Sequence, residues 1–317
     1  MSAEASVPRS SPNNNILFLA GPTGVGKSEI AVELALQIGG EIVCGDAFQI
    51  YAGMACLTAQ PGSGLTSRVP HHLYGTISPS EPVSAARLAA LATPVIEEIR
   101  SRGKWPIVVG GSGLYLEAIG GGLDPLPEPD PALREFVRGL NAGAALERLL
   151  AWDPGLVIDH RNHRRVARAL EIILQTGRPL SSLRAAKPPP LAAGCWLSRT
   201  RDDLHDRIQR NVEGIFREGA VEEAAKLKEL SETARMAIGF QEALEVAKGK
   251  MSIPMAVEQV TKATRQYAKR QMTWFRNRTM LHQVDIGPGE PAAQVAFRCL
   301  RGKPMPGCQS ECEPNGQ

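Results

Sequence analysis

Short apolar runs alternate with stretches of helical spacing in the first part of the chain. The apolar runs cover 16–20, 41–45 and 105–109, and apolar residues recur at helical spacing in 30–38 and 85–99. Short apolar runs of this kind are typical of buried strands, and strands that alternate with helices form parallel sheets covered on both faces. The pattern therefore predicts an α/β core built on a parallel sheet.

The pattern changes after residue 120. The segment 120–131 is rich in Gly and Pro and is typical of a linker. From 132 to about 183 only helical spacing is present, after which an apolar strand at 195–198 returns to the core. Two long helices are predicted to follow. They cover 201–230 and 253–280, and the full prediction is a disordered tail (1–14), a core (15–122 and 195–287), an all-helical insertion (123–194) and a C-terminal tail (288–317).

A phosphate-binding pattern, G-x-x-x-x-G-K-[ST], lies between the first strand and the first helix. Its glycines let the backbone curl so that N–H groups point at phosphate oxygens, and the following helix adds a partial positive charge. We expect Lys27 to reach a terminal phosphate and Ser28 to bind Mg²⁺, the one cofactor predicted. The sheet is therefore predicted to be of the P-loop NTPase type. The matching residues are Gly21, Pro22, Thr23, Gly24, Val25, Gly26, Lys27 and Ser28.

Polar residues also follow the next strands of the predicted sheet. Asp46 comes after the second strand, and Ser112 after the strand at 105–109. Ligands of open α/β sheets gather at the carboxyl ends of the strands. The phosphate loop, Asp46 and Ser112 are therefore predicted to share one cleft.

Composition excludes few classes of protein. The 317 residues are 43% hydrophobic and 22% charged, values that are ordinary for a globular protein. No apolar stretch approaches the roughly 18–20 residues of a membrane span, and the polar N-terminal segment lacks the apolar centre of a signal peptide. The six cysteines form no C-x-x-C pair, which favours a reducing compartment. We predict a cytoplasmic protein without a membrane partner.

Charge is distributed unevenly although the net charge is only +3. Arg161, Arg164, Arg165 and Arg168 have the spacing of one helical stripe, and no acidic residue falls between positions 159 and 171. The segment 262–278 likewise carries six basic residues and no acidic one. A solvated surface is the plain alternative, but two acid-free basic faces favour a polyanion such as nucleic acid.

Taken together, these motifs resemble the tRNA dimethylallyltransferases (tRNA isopentenyltransferases). The resemblance follows the family's order and covers roughly residues 15–280, which makes it far more specific than the phosphate loop alone. Besides the phosphate loop, it rests on Asp46-Ala47-Phe48-Gln49-Ile50-Tyr51, Pro70-His71-His72-Leu73, Gly110-Gly111-Ser112-Gly113-Leu114-Tyr115, Arg168-Ala169-Leu170-Glu171, Ala237-Ile238-Gly239-Phe240 and Tyr267-Ala268-Lys269-Arg270-Gln271-Met272-Thr273-Trp274-Phe275-Arg276.

The resemblance implies a prenyl transfer. A dimethylallyl group would pass from its diphosphate to the exocyclic N6 amine of the adenosine 3′-adjacent to the anticodon, in tRNAs that read codons beginning with U. Lys27 and Mg²⁺ would neutralise the leaving diphosphate, Thr23 would add a hydroxyl donor, and Asp46 would accept the amine proton. Ser112 would be a hydroxyl partner near the reacting centre. Two alternatives stay open, a magnesium-linked or helix-capping Asp46 and a helix N-cap at Ser112.

The resemblance also implies a tRNA-binding surface. The helical insertion would clamp the anticodon stem-loop of one tRNA against a monomeric enzyme, and the target base would leave its stack to reach the cleft. Core packing is an equally open interpretation of Phe48. The implied tRNA-contacting residues are Asp46, Ala47, Phe48, Gln49, Ser112, Arg134, Arg164, Arg165, Val166, Ala167 and Arg168.

The chain departs from the family pattern at four positions. Ala47 replaces a usual Ser, Gln60 a usual Lys, and Ser112 a usual Thr. Phe240 stands where a Tyr is common. None of these changes involves Lys27 or Asp46. We therefore expect them to alter the affinity for substrates and the choice of tRNA more than the reaction.

Three other functions remain open from the sequence. A small-molecule kinase that uses ATP would explain the phosphate loop and the sheet, but it would leave both basic faces without a role. An adenylate isopentenyltransferase would use the same donor on a free nucleotide. A non-catalytic RNA-binding protein would explain the basic faces, but it would not need an intact Lys27 and Asp46.

Overall fold

The computed structural model describes residues 16–124, 126–183 and 190–301. Its core is a six-stranded sheet with the strand order β3-β2-β4-β1-β5-β6, and every neighbouring pair of strands is parallel. The strands are β1 (Leu17–Ala20), β2 (Gly40–Cys44), β3 (His71–His72), β4 (Trp105–Gly110), β5 (Gly194–Ser198) and β6 (His282–Asp285). The parallel sheet predicted from the sequence is confirmed.

Helices surround the sheet and supply the rest of the core. The α-helices are α1 (Lys27–Ile38), α2 (Ser63–Thr66), α3 (Ala85–Ser101), α4 (Gly113–Ile119), α5 (Pro131–Arg138), α6 (Ala142–Trp152), α7 (His163–Thr176), α8 (Leu180–Leu183), α9 (Arg201–Glu218), α10 (Ala220–Lys226), α11 (Phe240–Ala247), α12 (Ile253–Arg278) and α13 (Ala292–Arg301). Among the described residues, no helix is long and apolar enough to cross a membrane.

The strands β1 and β4 lie in the middle of the sheet because their side chains are apolar on both faces. Leu19 packs with the helices on one face, and Phe18 packs with a second cluster that includes Phe275 of α12. Both faces are therefore filled, as expected for a parallel sheet. The carboxyl ends of β1, β2 and β4 then lie side by side, since these three strands are neighbours.

Glycines are required where α12 packs against the turn after β4. A Cβ atom on Gly111 would stand 2.4 Å from Nε2 of Gln271, and one on Gly113 would stand 2.2 Å from the ring of Trp274. Neither glycine has a positive φ, so the close approach of α12, and not backbone conformation, explains this part of the Gly-Gly-Ser-Gly motif.

The chain divides into two compact units. The first comprises the residues up to Gly121 and from Pro190 onwards, and the second begins at Gly122, close to the predicted insertion 123–194. The second unit contains α5 to α8 around its own apolar core, which includes Val137, Leu149 and Leu170. Arg161 precedes the first residue of α7, so it does not extend the helical stripe as predicted.

Two long-range predictions need correction. The helix predicted over 201–230 breaks at Gly219, whose φ is 121°, and continues as the short α10. Part of the predicted tail 288–317 is ordered structure, because α13 buries Val295 and Cys299 and packs against α1. The predicted tail 1–14 lies outside the described residues. The sequence signal for α13 was weak because only three of its ten residues are buried.

Candidate active site

A pocket of about 310 Å³ opens at the carboxyl ends of the strands in the first unit. Thr23, Lys27 and Ser28 of the phosphate loop line one side of it, and Asp46 and Phe48 line another. Helices α9 and α12 add apolar wall residues. These are Ile208, Val212, Ile215 and Val260. The pocket thus combines a phosphate-binding end with an apolar chamber and a carboxylate.

Lys27 is held inside the phosphate loop, and within the described part of the chain no carboxylate lies at ion-pair distance from it. Its Nζ donates to the carbonyl oxygens of Gly21 and Pro22, at 3.0 Å each. Burial lowers the pKa of Lys27 to about 8, and the charge of Asp46 opposes this shift only in part. A buried ammonium that lacks a counter-ion is a strong attractor for an anionic ligand.

Asp46 is oriented by a local turn after β2. Its Oδ1 accepts the backbone N–H of Phe48 at 3.0 Å, so it closes a turn and does not cap a helix. The structure assigns no hydrogen bond to Oδ2 among the described residues, which leaves this oxygen for a ligand. Phe48 lines the pocket and also packs on the core, so both interpretations of this ring hold.

The next residues along the chain are less exposed to the pocket than expected. Ala47 is buried, with 6% of its surface exposed. Gln49 lines the pocket, but its amide donates to the carbonyl oxygens of Thr58 and Ala59, at 3.1 and 2.7 Å. Gln60, at a departure from the family pattern, donates to the carbonyl oxygen of Tyr51 at 2.8 Å. These contacts hold the pocket loop in place.

Ser112 stands at the N-cap position of α4, yet its side chain makes no capping hydrogen bond. Its Oγ lies 3.1 Å from the phenolic oxygen of Tyr267 on α12. Tyr267 lines the pocket, whereas Ser112 is buried behind it. The spacing of Tyr267 along α12 matches that of buried Phe275 and of Trp274, so sequence pattern alone indicates a core position for it.

Three supports of the phosphate loop were missed by the sequence analysis. Arg207 and Arg199 donate through Nε to the carbonyl oxygens of Gly24 (3.0 Å) and Val25 (2.9 Å). Burial and the neighbouring Arg199 lower the pKa of Arg207. No local pattern distinguishes Arg207 from other arginines on an amphipathic helix, or Arg199 from other arginines before a helix, and only the folded chain brings them to the loop.

The third support is Gln271 of α12. Its Oε1 accepts the backbone N–H of Thr23 at 3.0 Å, and its Nε2 donates to the carbonyl oxygen of Gly111 at 2.9 Å. The N–H of Thr23 is therefore used within the protein, and the diphosphate contact of this residue is left to its hydroxyl group. Gln271 also connects the phosphate loop to the turn that carries Ser112.

The remaining predicted residues lie in the second unit. Arg164 and Arg165 are exposed on the first turn of α7, as expected for contacts with RNA. The side chain of Val166 is buried in the core of the unit, so it is not accessible to RNA, and Ala167 is partly buried. Arg134 and Arg168 both approach the buried carboxylate of Glu171, at 3.6 and 3.2 Å.

The pocket fits a magnesium ion that arrives with a diphosphate. Among the described residues there is no cluster of three or more His, Cys, Asp or Glu side chains that could hold a metal ion. Mg²⁺ bound to phosphates needs only one or two protein oxygens and keeps several waters. Ser28 lines the pocket next to Lys27 and offers such an oxygen.

A comparison with known families identifies the family of the chain. The family model described as IPP transferase matches residues 49–278, which is most of the chain. The chain belongs to the IPP transferase family. Its resemblance to this family therefore extends beyond the phosphate loop, which lies outside the matched residues.

Individual IPP transferases agree with this assignment. A tRNA dimethylallyltransferase of Geobacter sulfurreducens is 42% identical over 85% of this chain and 91% of that protein. The tRNA isopentenylpyrophosphate transferase of Bacillus halodurans is 33% identical, with a TM-score of 0.64 over 90% of this chain and 95% of that one. A eukaryotic dimethylallyltransferase acting on tRNA is 25% identical, with a TM-score of 0.69 over 85% of this chain and 73% of that one.

Binding of inorganic diphosphate with Mg²⁺ is expected to weaken as the pH rises through about 8, because Lys27 of the free protein loses its proton there. Bound diphosphate favours the charged lysine, so the extra affinity is present at lower pH and is lost at higher pH. Titration calorimetry at a series of pH values measures this dependence.

A Lys27→Met variant is the control, because diphosphate itself titrates. The difference in log K between the two proteins should fall by about one unit per pH unit above the pKa of Lys27. Parallel pH profiles for the two proteins would contradict the role of Lys27.

Proposed function

We propose that this IPP transferase moves a dimethylallyl group from dimethylallyl diphosphate to N6 of the adenosine 3′-adjacent to the anticodon of a tRNA, and releases diphosphate. The observation that carries the proposal is the placement of Lys27 and Asp46 in one pocket with an apolar wall. The lysine suits the diphosphate, the wall suits the five-carbon chain, and the carboxylate suits the amine.

Each pocket group has one task in this reaction. The bond from the allylic carbon to the diphosphate oxygen breaks as a bond from that carbon to N6 forms, and the displaced N6 proton passes to Asp46. Lys27 and backbone N–H groups of the phosphate loop would stabilise the charge that builds up on the leaving diphosphate. Mg²⁺, held at Ser28, would neutralise further charge on the same group.

The apolar wall serves a second purpose besides holding the prenyl chain. Ile208, Val212 and Val260 keep water from the allylic carbon, which would otherwise be hydrolysed. An adenine amine is a weak nucleophile because its lone pair is delocalised into the ring. Asp46 compensates by orienting the amine and accepting its proton.

We propose a tRNA anticodon stem-loop as the acceptor, and a cytoplasmic monomer as the enzyme. Arg164 and Arg165 are exposed at the start of α7, and their side chains suit phosphate groups. The cysteines of the described residues are all free, which supports a reducing compartment.

The direct test incubates the protein and Mg²⁺ with radiolabelled dimethylallyl diphosphate and unmodified tRNA that reads a codon beginning with U. Label is expected on the tRNA. The same transcript with guanosine in place of the target adenosine is the matched control and should stay unlabelled, since guanosine lacks the N6 amine. Label on AMP alone, ATP hydrolysis without prenyl transfer, or tRNA binding without transfer would each contradict the proposal.

Asp46→Asn is expected to lower the transfer rate at least ~100-fold, the usual scale for a lost general base, while tRNA binding is retained. Asparagine preserves the Oδ1 acceptor for the N–H of Phe48, so the turn stays intact. Single-turnover transfer measures the effect, and Asp206→Asn, an exposed change on α9, is the control. Normal transfer by Asp46→Asn would remove Asp46 from the chemistry.

Changing both Arg164 and Arg165 to Ala is expected to weaken tRNA binding. The slope of log K against log salt should become shallower by about 1.5, because each phosphate contact contributes about 0.7–0.9. Filter binding over a salt series measures the slope. The control pair is Arg148→Ala with Arg178→Ala, which removes the same charge from exposed positions of the same unit. Equal slopes for the two double variants would contradict a specific contact.

A further inference from the structure

The hydroxyl groups of Ser112 and Tyr267 form a pair of which one member lies nearer to the pocket than the other. The two oxygens lie 3.1 Å apart, but only Tyr267 lines the pocket. Ser112 is only 8% exposed and sits behind the phenol. A reactant in the pocket therefore meets the hydroxyl group of Tyr267 before that of Ser112.

Tyr267 is held from three directions. Its hydroxyl group interacts with Ser112 and with the side chain of Gln271, which in turn accepts the N–H of Thr23 at 3.0 Å. The guanidinium of Arg270 lies 5.7 Å from the centre of the phenol ring. The phenolic oxygen is thus fixed between the turn after β4 and the phosphate loop.

The phenol stays protonated and lines the same pocket as Asp46. Burial and the negative charge of Asp46 raise the pKa of Tyr267 to about 12. A neutral phenol has one proton to donate and two lone pairs that accept hydrogen bonds. The Oγ of Ser112, 3.1 Å away, can accept the phenolic proton, and a lone pair of the phenolic oxygen is then left for a donor inside the pocket.

The acceptor adenosine brings such a donor. Its amine carries two hydrogens, of which Asp46 accepts one and the other stays on the product. Because Asp46 holds only the hydrogen that is lost, a second acceptor beside it would fix the plane of the amine before the C–N bond forms. Tyr267 is the pocket residue whose oxygen is held in place for this contact.

We propose that Tyr267 contacts the acceptor adenosine, with its phenolic oxygen accepting the amine hydrogen that the product retains, and that Ser112 is a positioning residue for Tyr267. This inference rests on the proposed prenyl transfer and changes the role of Ser112 within it. Ser112 acts through the phenol and does not touch the reactants.

A double-mutant cycle tests the inference. Tyr267→Phe should lower the single-turnover rate about tenfold, the scale of one hydrogen bond in the transition state, without changing KM for dimethylallyl diphosphate. Ser112→Ala should lower the rate by a smaller factor, about threefold, because the phenol keeps its contact with Gln271. The double variant should match Tyr267→Phe alone, since a positioning residue has no effect once the group it positions is gone.

Tyr115→Phe is the matched control. Its hydroxyl group donates to the carbonyl oxygen of Val83 at 2.9 Å and lies away from the pocket wall, so its loss removes a comparable bond from a mostly buried tyrosine. This variant should transfer label at the wild-type rate. Diphosphate affinity and the Tm of each variant show whether the phosphate loop and the fold are intact.

Three results would overturn the inference. These are rate losses that multiply in the double variant, a loss in Ser112→Ala together with full activity in Tyr267→Phe, and a fall in diphosphate affinity that matches the fall in rate for Tyr267→Phe. Absence of transfer by the wild-type protein would instead contradict the proposed function itself, so the two failures are distinguishable.

Discussion

The phosphate loop between β1 and α1 is the constraint on which the rest of the structure depends. Its N–H groups can serve a ligand only if its carbonyl oxygens turn the other way, and each of those oxygens needs a donor. Lys27 donates to two of them from inside the loop, and two more accept from Arg207 of α9 and from Arg199 just before α9. The loop is therefore held by cations on both sides before any diphosphate binds.

Burial of Lys27 inside this loop explains its weak basicity. Desolvation lowers the pKa of Lys27 to about 8, and the charge of Asp46 opposes this shift only in part. Arg199 is offset by Asp203 at 2.7 Å, but among the described residues no carboxylate lies within ion-pair distance of Lys27. A bound anion would supply the counter-charge that the buried ammonium of Lys27 needs, so burial of this lysine favours diphosphate binding.

Local pattern predicted the elements that depend on neighbours in sequence. The periodicity of β1, α1 and β4 and the turn chemistry of the phosphate loop are properties of adjacent residues, and these predictions held. The supports of the loop come from far along the chain, since Gln271 bonds a residue 248 positions away. No spacing rule reports such a contact. The segment of α13 was predicted to be a tail for the same reason. Its few buried residues become core residues only when α13 packs against α1.

Helix α12 shows why a core-like pattern concealed part of the site. Residues at 267, 271 and 275 are spaced by one helical turn, so Tyr267 and Gln271 share a face with buried Phe275. A polar side chain on such a face is costly unless it is hydrogen-bonded. Both polar residues meet this requirement by bonding to the turn after β4 and to the phosphate loop. A fully packed core would favour apolar residues at positions 267 and 271. Two hydrogen-bonding side chains on this buried face of α12 are thus better explained by a pocket at the edge of the face.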